Sequence, residues 1–111
     1  MKGFHLLNMA PTIDTIFKAL KDINRQRPEN DQLELHPNTP IVGAKSRLDS
    51  LALVNFIVAV EQHVAADLGA EIVLSEDRTL GDEATVLADV STLARHVDTL
   101  IQESRDHGSK A

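Results

Sequence analysis

The chain of 111 residues contains no cysteine. That excludes a disulfide scaffold, a zinc–thiolate site, an iron–sulfur cluster and a cysteine nucleophile. Trp and Tyr are also missing, and three Phe bring aromatics to only 3%. A core must therefore be built from Leu, Ile, Val and Ala. Uninterrupted apolar runs of the roughly 18 residues that a membrane span needs are absent as well, so no membrane insertion is expected. Residues 1–10 carry one Lys, with Gly3, His5 and Asn8 among the apolar positions. That is a poor signal peptide. Lys2 excludes N-myristoylation. The expected location is the cytoplasm.

What is present suits one small domain. Hydrophobic residues make up 42%, enough for a packed interior and too many for a disordered chain. The expectation is a single domain over residues 1–111, folded over about 12–103 with flexible ends, and monomeric. The formal charge of −6 is unevenly spread. Residues 1–48 hold seven Lys/Arg and five Asp/Glu, and residues 49–111 hold four and twelve. An acidic second half speaks against nucleic acid, which needs clustered cations. It suits a protein partner with a basic patch.

Three stretches have helical periodicity. The first spans 12–26, after Pro11, with Thr12 as its cap. Ile13, Ile16, Phe17, Leu20 and Ile23 share a face, and Pro28 ends it. The second spans 50–68 and closes on Gly69. Leu53, Ile57, Val60, Val64 and Leu68 form its core stripe. Leu51, Val54, Val58 and Ala65 form a second stripe, roughly 100–160° away. The third spans 91–103, capped by Ser91, with Leu93, Val97, Leu100 and Ile101 inward. A polar tail from 104 should fray.

Two connections remain. Residues 27–49 contain Pro28, Pro37, Pro40 and Gly43, and a link this long is usually functional. Leu33, Leu35, Ile41, Val42 and Leu48 are candidates to pin it down. After Gly69 comes a β-like run at 70–74, which reads as an extended loop for want of a partner strand. A short helix is expected near 80–87. The fold class is all-α: a small four-helix bundle with a long loop between its first and second helices.

Chemistry points to Ser50. It stands where the long loop becomes the long helix, near unpaired backbone N–H groups and the positive end of the macrodipole. A phosphodiester on its hydroxyl would be stabilised there. The plainer reading is that Ser50 only caps the helix. Likewise, the second apolar stripe is either ordinary core or a partner surface.

The sequence from Leu48 to Glu61, with Asp49-Ser50-Leu51 followed by an aliphatic run, resembles the motif of acyl carrier proteins. Upstream, Asn38-Thr39-Pro40-Ile41-Val42-Gly43 resembles that family's Asp-Thr-x-Leu approach to the serine. Downstream, residues 86–93 resemble its Thr-Val-x-x-Leu entry to the last helix, with Asp89-Val90-Ser91-Thr92-Leu93 in place of the family's residues. The resemblance covers about residues 12–103. It implies 4′-phosphopantetheine on Ser50, attached from coenzyme A by a phosphopantetheinyl transferase. It implies that Asp49 assists this modification. It further implies an acyl or aminoacyl thioester delivered to or from acyl-activating and acyl-transfer enzymes. Leu51, Val54, Asn55, Val58 and Glu61 would then form the partner face.

The chain departs from the family in charge. Ala52, Asn55 and Gln62 stand where acids are common, leaving Glu61, and Lys45 and Arg47 precede the serine. These features look more like a free-standing carrier of a dedicated fatty-acid or secondary-metabolite pathway than a housekeeping one.

Rival classes find less support. No Gly-x-Ser-x-Gly elbow surrounds Ser50, so catalysis by the chain itself is not expected. The histidines at 5, 36, 63, 96 and 107 include no helical pair, and no metal site is expected. Glu76, Asp77, Asp82 and Glu83 lack the spacing of a calcium loop. The remaining alternative is a helical interaction module in which Ser50 is only a helix N-cap.

Overall fold

The computed structural model describes the backbone of residues 3–43, 45–74 and 87–110, and side chains within 11–43, 45–74 and 87–104. Among these residues it is all-α, with three helices and no strand. Helix α1 is Gly3–Asn24, α2 is Ser50–Leu68 and α3 is Val90–Lys110, with a 3₁₀ turn at Glu29–Asp31. The helix expected near 80–87 lies outside the described residues except for Leu87, which is in a turn.

Helix α1 packs against both α2 and α3. Ile16, Ala19, Leu20 and Ile23 of α1 are buried together with Phe56, Val60 and Val64 of α2 and Leu93, Ala94 and Val97 of α3. Burying a side chain such as Phe56 stabilises the fold by roughly 1.5–3 kcal/mol. The aromatic-poor sequence thus builds an aliphatic core around this Phe.

The start of α1 corrects the sequence expectation. Proline costs a helix one N–H bond and crowds the carbonyl four residues earlier, so the sequence predicts a helix that starts after Pro11 with Thr12 as cap. Instead Pro11 lies inside α1. Thr12 is buried, and its hydroxyl donates to the Asp98 carboxylate on α3. The Thr15 hydroxyl donates to the Pro11 carbonyl at 2.8 Å. Tertiary packing of both threonines overrides the local cost of the proline.

Helix α2 has the expected bounds. Gly69 ends it at φ 65°, a left-handed conformation that glycine adopts without a Cβ clash. With a mean hydropathy of 1.4, α2 is long and apolar enough to cross a membrane by length and composition. Asn55, Glu61, Gln62 and His63 interrupt its apolar run, so no uninterrupted stretch of that length exists. Part of this apolarity belongs to the core, through Phe56, Ile57, Ala59, Val60 and Val64, while Leu51, Val54 and Val58 are apolar and exposed.

Helix α3 begins one residue earlier than expected, and its cap is Asp89 rather than Ser91. The Asp89 carboxylate accepts from the Thr92 N–H at 2.8 Å and from the Ser91 hydroxyl at 3.0 Å. The backbone continues as helix to Lys110 instead of ending near 103.

The connections are held by backbone as well as by side chains. Ile41 and Val42 donate to the carbonyls of Ala88 and Leu87, and Val90 donates to that of Thr39. An antiparallel bridge pairs Pro40 with Asp89. Leu33 and Ile41 are buried, and Val42 and Leu48 pack against the core. Leu35 does not pin the loop; it is exposed. In the extended segment 70–74, Ala70, Ile72 and Leu74 are buried while Glu71 and Val73 are exposed. That alternation is what an extended chain laid on a core produces.

Candidate functional site

The long loop delivers Ser50 to the surface through a series of polar contacts. The Ser46 hydroxyl donates to the Ile41 carbonyl at 2.5 Å and accepts from the Leu48 N–H at 3.1 Å. Arg47 pairs with Asp31, which Arg27 also engages at 3.1 Å. Arg27 further donates to the Asp31 carbonyl at 2.7 Å and the Arg47 carbonyl at 3.3 Å. At the end of α1, the Asn24 carboxamide holds Leu33 by its N–H and its carbonyl. The end of α1, the 3₁₀ turn and the approach to α2 are therefore one connected unit.

Asp49, not Ser50, caps α2. Its Oδ1 accepts from the Ala52 N–H at 2.8 Å, with Asp49 in extended conformation at φ −79°, ψ 179°. Ser50 is the first helical residue, and it is exposed. Its hydroxyl is not committed to the cap. The idea that Ser50 serves only as an N-cap is thus corrected: the aspartate before it does that work.

The second stripe of α2 faces outward. Leu51 is 71% exposed, Val54 57% and Val58 40%, and Asn55 and Ala65 are exposed beside them. This rules out ordinary core packing for these residues. Glu61 sits differently from the other expected partner-face residues. It is half-buried, and its Oε2 accepts from the Leu74 N–H at 2.5 Å. It ties the extended segment to α2. The resemblance to acyl carrier proteins implied a place for Glu61 on the partner face; nothing in the sequence links it to a residue 13 positions later.

A cleft of about 180 Å³ lies beside Ser50, between the end of α1 and the first turns of α2. Its lining includes Ile23, Gln26 and Arg27 from α1 and the residues just after it, and Asp49, Leu51 and Asn55 from the cap and first turns of α2. Sequence reasoning found the α2 residues and missed the α1 ones. The only signal was Gln26-Arg27-Pro28 at a helix end, which does not say what it faces.

The charges near Ser50 are mixed. Lys45 is exposed, Arg27 and Arg47 share Asp31, and Asp49 adds an anion. Among the described residues no group of three or more His, Asp or Glu is placed to hold a metal. The acidic residues Glu76, Asp77, Asp82 and Glu83 lie outside the described residues. Of the histidines, His63 pairs with Asp22 across α1 and α2 at 2.7 Å, and His36 accepts from the Asn38 N–H. The side chains of His5 and His107 lie outside the described ones.

Compared with models of known families, with curated proteins and with solved structures, the chain matches none.

Proposed function

We propose that the protein is an acyl carrier whose Ser50 is the attachment point for 4′-phosphopantetheine. The observation that carries this reading is an exposed serine at the first position of α2, relieved of capping by Asp49 and followed by the exposed stripe Leu51, Val54 and Val58. An attachment site has to offer its hydroxyl to another enzyme, and this one does. The positive end of α2 favours an anionic phosphodiester at the same place.

In the loading step, the Ser50 Oγ attacks the β-phosphorus of coenzyme A. An Oγ–P bond forms and the pyrophosphate P–O bond breaks. The leaving group is adenosine 3′,5′-bisphosphate, and the hydroxyl proton passes to a base of the transferase. Asp49 caps with Oδ1, which leaves Oδ2 to face the transferase's cation. When bound, the arm supplies a thiol that holds an acyl or aminoacyl group as a thioester. Leu51, Val54 and Val58 present the apolar face on which acyl-activating and acyl-transfer enzymes would dock. The chain's own task is to carry, not to catalyse. A fourth short helix near 80–87, completing the four-helix bundle, belongs to the same proposal.

An interaction module is the competing reading, and the outward stripe suits it equally. It gives no role to Ser50, however, once Asp49 is the cap.

The deciding test is incubation with coenzyme A, magnesium and a broad-specificity phosphopantetheinyl transferase, followed by intact mass. The mass should rise by one phosphopantetheine, and Ser50→Ala should abolish the rise. No gain, with a known carrier loaded in parallel, would overturn the proposal.

A further inference from the structure

We infer that the cleft between the end of α1 and the first turns of α2 is the resting groove of the prosthetic arm, a pantetheine chain tethered at Ser50. This rests on the carrier reading above. Its own support is the match between the cleft and the chemistry of the arm.

Pantetheine is a linear chain with a geminal dimethyl group, a hydroxyl and two amides. Each amide needs a donor and an acceptor wherever it lies out of water. The cleft offers two carboxamides, Gln26 and Asn55, both exposed. Neither side chain hydrogen-bonds to another described residue. Each carboxamide presents both a donor and an acceptor. Ile23 and Leu51 supply apolar wall for the dimethyl group.

Position also favours this occupant. Asp49, Leu51 and Asn55 of the lining lie one residue before, one after and five after Ser50. A group fixed to Ser50 reaches the cleft without diffusing, so its effective concentration there is high even if each contact is weak. A volume of about 180 Å³ accommodates part of such a chain, not a bulky folded ligand. Just past α1, the Arg27 side chain of the wall is held in place by Asp31 and by the Arg47 carbonyl. The thiol end would extend past Leu51 towards the exposed stripe, where a partner would collect its cargo.

The test compares backbone amide spectra of the unloaded and loaded full-length chain, with loading verified by intact mass before any spectrum is recorded. Attachment alone should shift only residues next to Ser50. The groove predicts additional shifts at Ile23, Gln26 and Arg27, more than 20 positions away in sequence. It also predicts nuclear Overhauser contacts from the arm's methyl protons to Ile23 or Leu51. Gln26→Leu, which lies off the proposed partner face, should still load fully and should lose the α1 shifts. Loading with shifts confined to residues 48–52 would overturn the groove and leave the carrier reading standing. So would shifts at Ile23 and Arg27 that persist unchanged in Gln26→Leu. Failure to load would overturn the carrier reading, and the groove with it.

Discussion

The Asp49 carboxylate accepts from the Ala52 N–H at 2.8 Å, and this one bond separates two roles that adjacent residues share in sequence. Asp49 anchors the helix, and Ser50 is left at the surface. Asp49→Ala should therefore lower stability by about 0.5–2 kcal/mol, the usual range for a lost N-cap. Ser50→Ala should change it by less than about 0.5 kcal/mol, as at other exposed positions. Urea unfolding followed by circular dichroism measures both. The reverse order would show that the serine, not the aspartate, holds the helix start. Loading separates the two as well, since only Ser50→Ala removes the acceptor oxygen.

The caps show where sequence reading stops. In both Asp49-Ser50 and Asp89-Val90-Ser91, two good capping residues stand close together, and their propensities are nearly equal. Which one caps depends on which oxygen meets the free N–H two or three residues on, and periodicity does not resolve a shift of one residue. The faces of α2 were legible, because Leu53, Ile57, Val60, Val64 and Leu68 repeat at helical spacing and so do Leu51, Val54 and Val58. The first turns of α1 were not, because Pro11 reads as a stop unless Thr12 is known to meet Asp98. Glu61 to Leu74 and the Gln26–Asn55 cleft depend on how distant segments cross, which no local pattern encodes.

The outward stripe predicts a separation of binding from folding. Val54→Asp places a charge largely in water, so stability should move by no more than about 0.5 kcal/mol. Docking should suffer instead. The transferase kcat/KM should fall about tenfold or more, corresponding to roughly 1.4 kcal/mol. Val60→Asp is the contrast: Val60 is fully buried, and an unpaired carboxylate there should cost about 4 kcal/mol or more. Unfolding caused by Val54→Asp would place that residue in the core and sink its role in docking.

Two aspartates on or next to α3 should respond to pH in opposite senses. Burial pushes the Asp98 carboxyl up, and the Thr12 hydroxyl bond only partly offsets this. The folded state therefore holds the Asp98 proton more tightly than the unfolded state. Its contribution is greatest in acid and is lost as pH rises through the raised value. For Asp89, burial also pushes upward, but the Thr92 N–H, the Thr92 and Ser91 hydroxyls and Arg95 outweigh it and hold the carboxyl low. That contribution is present above the ordinary carboxylate range and is lost as pH falls through the lowered value. Asp98→Asn should thus reduce the loss of stability on going from acid towards neutral pH. Asp89→Asn should weaken the loss on acidification. Thermal melts of the three proteins from acid to neutral pH test both signs. Parallel profiles for wild type and either variant would remove that residue from the account.

The last expectation concerns Glu61, which serves the fold before it serves any partner. Its carboxylate takes the Leu74 N–H at 2.5 Å, and Leu74 itself is fully buried. A hydrogen bond to a charged group is worth about 1.5–3 kcal/mol, and losing it would leave a buried donor unpaired. Glu61→Ala should therefore destabilise by about that amount, and Glu61→Gln by less, because the amide oxygen still accepts. The more direct readout is hydrogen exchange. The Leu74 amide should exchange faster in Glu61→Ala by roughly one to two orders of magnitude, which is what a loss of 1.5–3 kcal/mol means locally. Amides in the middle of α1 should change less if the segment opens on its own. If Glu61→Ala leaves Leu74 protected but weakens transferase docking, Glu61 belongs to the partner face after all, as the resemblance to acyl carrier proteins implies.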